Sequence, residues 1–531
     1  MKRFIKNDRA EERLRPINWA SEISVLAQRY GERIAVSDRH GTLTYAELMS
    51  RATAIAQALA EHGIGPGQTV ATIFRNDRNA VSAMLGVMMA GATEVPLNPA
   101  LSHGDRQHCC AVARVETILS VAELSDANLG QLSNLILVDH IEPAQTRWTE
   151  DGHIEPEAPS RIVFTSGTTG KPKGAVHSHR GRWLANLLLR ASLPHRPGAN
   201  SRILLMTPFS HGTSLMTYAY LCSGASVELR DGVHPESVLP LLEQGVCDSM
   251  FAPPTVLAKI VDAAEGRRIT TLRTIFCGTA VLKPTLYARA REVFGPIIRV
   301  TYGKSEIFNP ICVMEPDETD DWYSRGSGDA CVGWPAPGVE IAIHDVDGQP
   351  VTGSQTGEVM IRSLHLMAGY RTTQGFQPLR ADGFHDTGDL GYVDEVGRLH
   401  LTGRIADVIK SGGYKISPEE IERELGPALG HSEVAVVGIP SEYWGEVVLA
   451  AIERPPDDWQ ERLSPVLAAM TGYKRPRLFI TVEELPRNGI GKIVRSRIRE
   501  FSLANYTFRD GPHPRLEPEA ASSINTRIDL G

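Results

Sequence analysis

The stretch Phe164-Thr165-Ser166-Gly167-Thr168-Thr169-Gly170-Lys171-Pro172-Lys173-Gly174 packs four hydroxyls, three glycines and two lysines into eleven residues, directly after an apolar strand at 161–165. Glycines let successive backbone N–H groups turn inward as an anion nest, hydroxyls donate to phosphate oxygens, and lysines add charge. The segment is not the kinase-type P-loop. That motif needs G-x-x-x-x-G-K-[ST], whereas Gly167 and Gly170 are three apart and Lys171-Pro172 follows. A generic run of Gly, Ser and Thr is a flexible surface loop. This ordered combination behind a strand reads instead as a phosphate cradle on an α/β scaffold.

Outward from the cradle, short β-rich runs recur at 70–74, 117–119, 135–138 and 203–206. Between them, 43–63 and 77–91 carry apolar residues at helical spacing. Strands alternating with helices at this interval predict an α/β fold with largely parallel sheets. From about Cys331 the texture changes: 339–344 and 357–362 alternate in period two around the turn signal Asp347-Gly348, which predicts a β-rich module. A second change near Gly403 marks a boundary. The predicted organisation is a large N-terminal body at 1–403, with the β-rich module at about 331–403. A small α+β C-terminal domain follows at 404–504, then a polar tail at 505–531 that is either loose or packed as an arm.

Composition narrows the function classes. The chain has 531 residues, 42% hydrophobic and 22% charged, which is ordinary for a globular protein of several folding units. Its 55 Lys and Arg against 63 Asp and Glu give a net charge of −8, which argues against a nucleic-acid coat. No apolar run has the length of a membrane span, and the charged first sixteen residues lack a secretory h-region. The seven cysteines are odd in number and contain no C-x-x-C pair, so buried reduced thiols and a cytosolic location are expected.

Further segments follow the cradle in order: Pro208-Phe209-Ser210-His211-Gly212, Phe276-Cys277-Gly278-Thr279-Ala280 and Thr301-Tyr302-Gly303-Lys304-Ser305-Glu306, then His385-Asp386-Thr387-Gly388-Asp389, Gly403-Arg404-Ile405-Ala406-Asp407 and Leu485-Pro486-Arg487-Asn488-Gly489-Ile490-Gly491-Lys492. Together with the cradle, this series resembles the AMP-forming adenylating superfamily of acyl-CoA synthetases, peptide-synthetase adenylation domains and firefly luciferase. The likeness spans roughly residues 20–500.

The resemblance implies the reaction ATP + carboxylate + CoA → acyl-CoA + AMP + pyrophosphate. A carboxylate is a poor electrophile, and adenylation gives it AMP as a leaving group. Positive charge and oriented donors must then gather where two anions meet. On this resemblance Thr165, Ser166, Gly167, Thr168, Thr169, Gly170, Lys171 and Lys173 hold ATP phosphates. Gly278, Thr279, Ala280, Thr301, Tyr302, Gly303 and Ser305 line the AMP site, Asp389 takes the ribose hydroxyls, and Arg404 adds a phosphate or ribose contact. Glu306 holds Mg²⁺, His211 gates the acyl pocket, and Lys492 reaches the α-phosphate and substrate carboxylate. Ser305 stands where relatives carry Thr, and Ala406 occupies a hinge position that commonly holds Asp or Lys.

The same resemblance implies that the C-terminal domain rotates, bringing the loop Lys410, Ser411, Gly412, Gly413 and Tyr414 to CoA in the second step. By position Gly212, Thr213, Thr217, Cys277, Thr279 and Asn309 are candidates for the acyl pocket. Their small or polar character leans toward a small acid with a hydroxyl, carbonyl or heteroatom. Lys304 either meets a second anionic group of the acid or points to solvent. Lys492, Arg495, Arg497 and Arg499 could alternatively form a plain basic face. The sequence leaves open a homodimer, a stand-alone enzyme loading a carrier protein, and a non-catalytic nucleotide-binding relative.

Overall fold

The computed structural model describes residues 19–124, 134–145, 154–165, 172–326, 330–345, 347–351, 353–488 and 492–518. Local chemistry sets the first elements. Thr44 and Glu47 form a reciprocal capping box that opens the helix Tyr45–Glu61. Asp77 accepts from the backbone N–H groups of Asn79 and Ala80 to open Arg78–Met89. These two helices touch at Gly86, where a Cβ would lie 2.6 Å from Ile55, so close packing there requires glycine.

The strand Thr93–Leu97 is buried along its whole length, as expected of a parallel strand covered on both faces. It belongs to an eight-stranded sheet. Pro159–Thr165, Thr93–Leu97, Thr69–Ile73, Thr117–Ser120 and Asn134–Leu137 run parallel within it. Lys173–Ser178 and Gly369–Thr372 extend it antiparallel. A second sheet of fourteen strands is parallel at its centre, through Arg202–Leu205, Ser249–Phe251, Thr274–Gly278 and Ile298–Lys304. It then turns antiparallel at Ile307–Met314 and continues into the β-rich region. There Val339–His344 pairs with Gly357–Ser363 as an antiparallel ladder, and Gly348 sits at φ +75° in the turn.

Beyond Arg404 lies a five-stranded sheet built from Ile409–Ser411, Tyr414–Ile416, Val434–Ser441, Gly445–Glu453 and Leu478–Val482. The tail resolves into an arm as far as Pro518: Tyr506–Arg509 and Arg515–Pro518 form a hairpin. Tyr506, Phe508 and Leu516 pack on the core of the five-stranded sheet. All seven cysteines are free and buried.

Candidate active site

The predicted residues converge where parallel strands end, the usual ligand position of open α/β sheets. Thr165, Gly278 and Lys304 each close a strand. Ser305 and Glu306 form the reversal between Ile298–Lys304 and Ile307–Met314. The two large sheets meet at this reversal. The hydroxyl of Tyr370, in the eight-stranded sheet, donates to Glu306 Oε1 at 2.7 Å. The imidazole of His177, in the same sheet, donates from Nε2 to the Ser305 carbonyl at 2.9 Å. Lys173 places its ammonium 5.9 Å from the Tyr370 ring centre. The predicted phosphate ligands Ser166, Gly167, Thr168, Thr169, Gly170 and Lys171 lie outside the described residues.

Asp389 is the electrostatic centre. The Thr387 hydroxyl donates to the Val359 carbonyl and accepts from the Asp389 N–H at 3.1 Å, while Gly388 takes φ +70°, and together they turn Asp389 inward. Its carboxylate accepts from the Tyr302 hydroxyl and lies 3.2 Å from Lys304 Nζ and 3.1 Å from Arg404 Nε. Burial alone would raise its pKa, but Lys304 and Arg404 overcome that and hold it below the ordinary value. Lys304 therefore does not point to solvent. It is committed to Asp389 and to the Thr387 carbonyl at 2.7 Å.

Lys492 enters this site from the C-terminal region. Its backbone is pinned by the Asn488 side chain at 2.9 Å. Burial and the cations Arg404 and Lys304 lower its ammonium to about 8, with Asp389 and Glu306 pulling the other way. Two buried carboxylates, Glu306 and Asp389, thus face a cluster of cations drawn from three distant parts of the chain. The neighbouring arginines are not a basic face. Arg495 binds Asp407 at 3.0 Å, Glu422 at 2.9 Å and Glu419 at 3.0 Å, and Arg499 reaches Glu446 at 3.3 Å. These ties fasten the short 3₁₀ turn Ile405–Asp407, which contains Ala406, to the C-terminal sheet.

Thr279 follows the strand Thr274–Gly278 with φ +70°, a left-handed conformation that is costly for a β-branched residue. Its hydroxyl is buried without a partner. A Cβ at Gly278 would lie 2.5 Å from the Thr301 hydroxyl, so the two strand ends approach as only glycine permits. His211 breaks the helical turn Phe209–Thr213 with a non-helical φ −123°, ψ −134°, and burial together with Arg161 lowers it to about 4.

The acyl-pocket candidates separate. Gly212 lies against Phe251, where a Cβ would be 3.3 Å away. Thr217 is fully buried with its hydroxyl unpartnered. Thr213 spends its hydroxyl on the Thr207 carbonyl at 2.7 Å. Cys277 does not face the pocket. Side chains alternate along a strand, so Cys277 joins Ile275 in one apolar cluster while Phe276 turns to the other, with Phe209 and Phe251. Asn309 lies on the strand Ile307–Met314. Tyr370 and Arg161 are site neighbours that no local motif announced.

The loop Lys410, Ser411, Gly412, Gly413 and Tyr414 forms a hairpin with Gly412 at φ +56° and Gly413 at φ +84°. Its contacts are with the C-terminal sheet: Gly412 N–H donates to the Trp444 carbonyl at 2.8 Å, Lys410 N–H donates to Glu446 at 2.7 Å, and Tyr414 stacks on Tyr473 at 4.1 Å. A third contact joins the two parts of the chain. Glu433 takes Lys283 at 2.8 Å and also Arg487.

For the Mg²⁺ that the resemblance implies, Glu306 would offer a single buried carboxylate, oriented by Tyr370. One carboxylate suits Mg²⁺, which keeps several waters and binds mainly through substrate phosphates.

Residues 24–371 match the AMP-binding enzyme family, and residues 420–492 match the AMP-binding enzyme C-terminal domain. A feruloyl-CoA synthase of Amycolatopsis is 29% identical over 88% of this chain and 95% of its own. A long-chain-fatty-acid–CoA ligase of Thermus thermophilus is 30% identical over 88% and 91% respectively. The solved structure of o-succinylbenzoate coenzyme A synthetase from Bacillus subtilis, with ATP and magnesium ion, is 27% identical over 90% of this chain and 98% of its own, with a TM-score of 0.77. With both regions matched in order, and the motif residues gathered at one cluster of strand ends, the chain belongs to the AMP-binding enzyme family.

Proposed function

We propose that this enzyme activates a carboxylic acid with ATP, releases pyrophosphate, and transfers the acyl group from the acyl-adenylate to CoA. The observation that carries the reading is that the buried Lys492 ammonium lies within electrostatic reach of Lys304, Arg404, Asp389 and Glu306. A compact ammonium between the α-phosphate and the substrate carboxylate neutralises the repulsion that otherwise blocks their approach. Asp389, ionised and turned inward, accepts from ribose hydroxyls, and Arg404 adds a phosphate or ribose contact. Glu306 would hold Mg²⁺, which supplies charge neutralisation on phosphate oxygens. Thr165 and Lys173 flank the phosphate cradle. Thr279, Thr301, Tyr302 and Ser305 shape the nucleotide side, and His211 with Gly212 closes the acyl side.

The reading divides the chain into an N-terminal body and a mobile C-terminal domain from about Arg404. With Lys492 in the site, the chain stands in the adenylating pose. The glycine hairpin at 410–414 takes its place after rotation, so that a thiol can attack the adenylate. The buried free thiols support a cytosolic setting, and no helix among the described residues is long and apolar enough to cross a membrane.

Carboxylate-dependent ATP–pyrophosphate exchange tests the first step, and free CoA against carrier-bound pantetheine tests the second. Exchange together with CoA turnover is expected. Exchange without turnover at millimolar CoA would point to a carrier-protein acceptor, and no exchange over a broad acid panel to a nucleotide-binding relative.

A further inference from the structure

Three neighbouring strands of the eight-stranded sheet place Glu94, Arg161 and His177 side by side, with Glu94 opposite Arg161 and Arg161 opposite His177. Arg182 enters this layer from the helix His179–Ala191. Arg161 and Arg182 are 2% and 3% exposed and share one acidic partner, Glu94, at 3.5 Å and 3.9 Å. Burial holds His177 and His211 neutral. Two buried cations therefore face one buried anion, an arrangement a protein interior disfavours unless something else completes it. Arg182 is anchored, donating to the Ser160 hydroxyl at 2.8 Å. Arg161 is not: its Nη1 meets only the Met84 sulfur at 3.9 Å, while Nε and Nη2 are buried without a hydrogen-bond acceptor.

The position of this cation matters more than its burial. Its guanidinium carbon is 5.9 Å from the ring centre of Phe308, and His177 stacks on that ring at 3.8 Å. His177 in turn binds the Ser305 carbonyl, and His211 at the acyl gate feels the charge of Arg161. The guanidinium, ion-paired with Glu94 yet short of hydrogen-bond acceptors, thus lies against Phe308 and within electrostatic reach of His211 at the acyl gate.

We infer that the acid this enzyme activates carries a second anionic group, a carboxylate or equivalent oxyanion, which pairs with Arg161 at the floor of the acyl pocket. The inference rests on the acid-activating reading above and names its substrate class. The chemistry is recognition only. The distal group stays ionised, and the carboxylate at the other end is the one adenylated.

The test is pyrophosphate exchange by the full-length enzyme on matched pairs of aromatic and aliphatic acids, each with and without a distal carboxylate. A charge-assisted pair in a dry site predicts that, in at least one size class, the diacid is favoured about tenfold or more in kcat/KM. R161M, which keeps the side-chain volume, should bring that ratio to about one, and R161K should leave it intermediate, with melting curves establishing that each variant is folded. Monoacids preferred in every pair by the wild-type enzyme would overturn the inference, and that comparison needs no variant. So would R161M lowering both members of a pair equally, which is the signature of a structural arginine. No exchange with any acid would instead remove the acid-activating reading, and this inference with it.

Discussion

Lys304 is bonded to Asp389, its ammonium 3.2 Å from Oδ2 and 2.7 Å from the Thr387 carbonyl. A residue between two motif positions thereby helps set the charge state of the carboxylate proposed to face the ribose. K304M should weaken ATP binding by about 1–2 kcal/mol, roughly five- to thirtyfold in KM. Removing the cation raises the Asp389 pKa, so the acid limb of kcat/KM moves to higher pH. The preference among acids should stay unchanged. A shift in acid preference would tie Lys304 to the acyl pocket.

Lys492 is lowered to about 8, and in its proposed role it must carry its proton to stabilise the transition state. The charged form prevails below that value, so adenylation kcat/KM should fall about tenfold per pH unit well above it. Bound ATP favours the ammonium and should carry the kcat limb further alkaline. K492A should nearly abolish pyrophosphate exchange while leaving thiol transfer from supplied acyl-adenylate largely intact. Equal loss of both steps would refute the separation.

Glu433 joins Lys283 to Arg487 across the proposed domain boundary, and these cations hold it at about 2 against the opposing effect of burial. Its folded pKa is depressed, so the contact is present above the ordinary carboxylate value and fades only as pH falls toward 2. Charge reversal in K283E should slow adenylation about two- to fivefold, since exposed pairs are worth at most about 1 kcal/mol. Transfer from preformed acyl-adenylate should be unaffected, as single-turnover rates of the two steps would reveal.

Thr279 holds a left-handed backbone conformation with its hydroxyl unpartnered. Glycine removes the steric cost but loosens the loop. T279G should leave the melting temperature unchanged or raise it by a few degrees, corresponding to about 1 kcal/mol. Exchange activity should nonetheless drop several-fold. Calorimetry beside exchange kinetics checks both halves, and an active, destabilised variant would contradict the account.

Strand ends and their glycines were legible because each motif couples a local conformation to a fixed chemistry. Gly278 and Gly388 announce tight backbone, and Asp389 and Lys492 announce charge. What escaped reading depends on sheet register. Tyr370 reaches Glu306 only because Gly369–Thr372 pairs with Lys173–Ser178. Cys277 was grouped with the pocket by proximity in sequence, although strand alternation sends it to the opposite face from Phe276. Arg161 lies inside a run read as apolar. A charged residue in the middle of a buried strand was the available signal, and its partner Glu94 occupies an equally buried strand.

The C-terminal hairpin is a clasp. Asp510 accepts from the N–H of Glu442 at 2.6 Å, and the Gly511 carbonyl accepts from the Trp444 indole at 3.0 Å. Trp444 in turn holds the backbone of Gly412. Removing the chain from Tyr506 onward should leave every group around Asp389 in place but unfasten the glycine hairpin proposed to receive the thiol. Such a shortened enzyme should still make acyl-adenylate yet shed it to water, so that AMP release outruns thioester formation. On the proposed reading, the hairpin at 506–518 would govern how tightly ATP consumption is coupled to product.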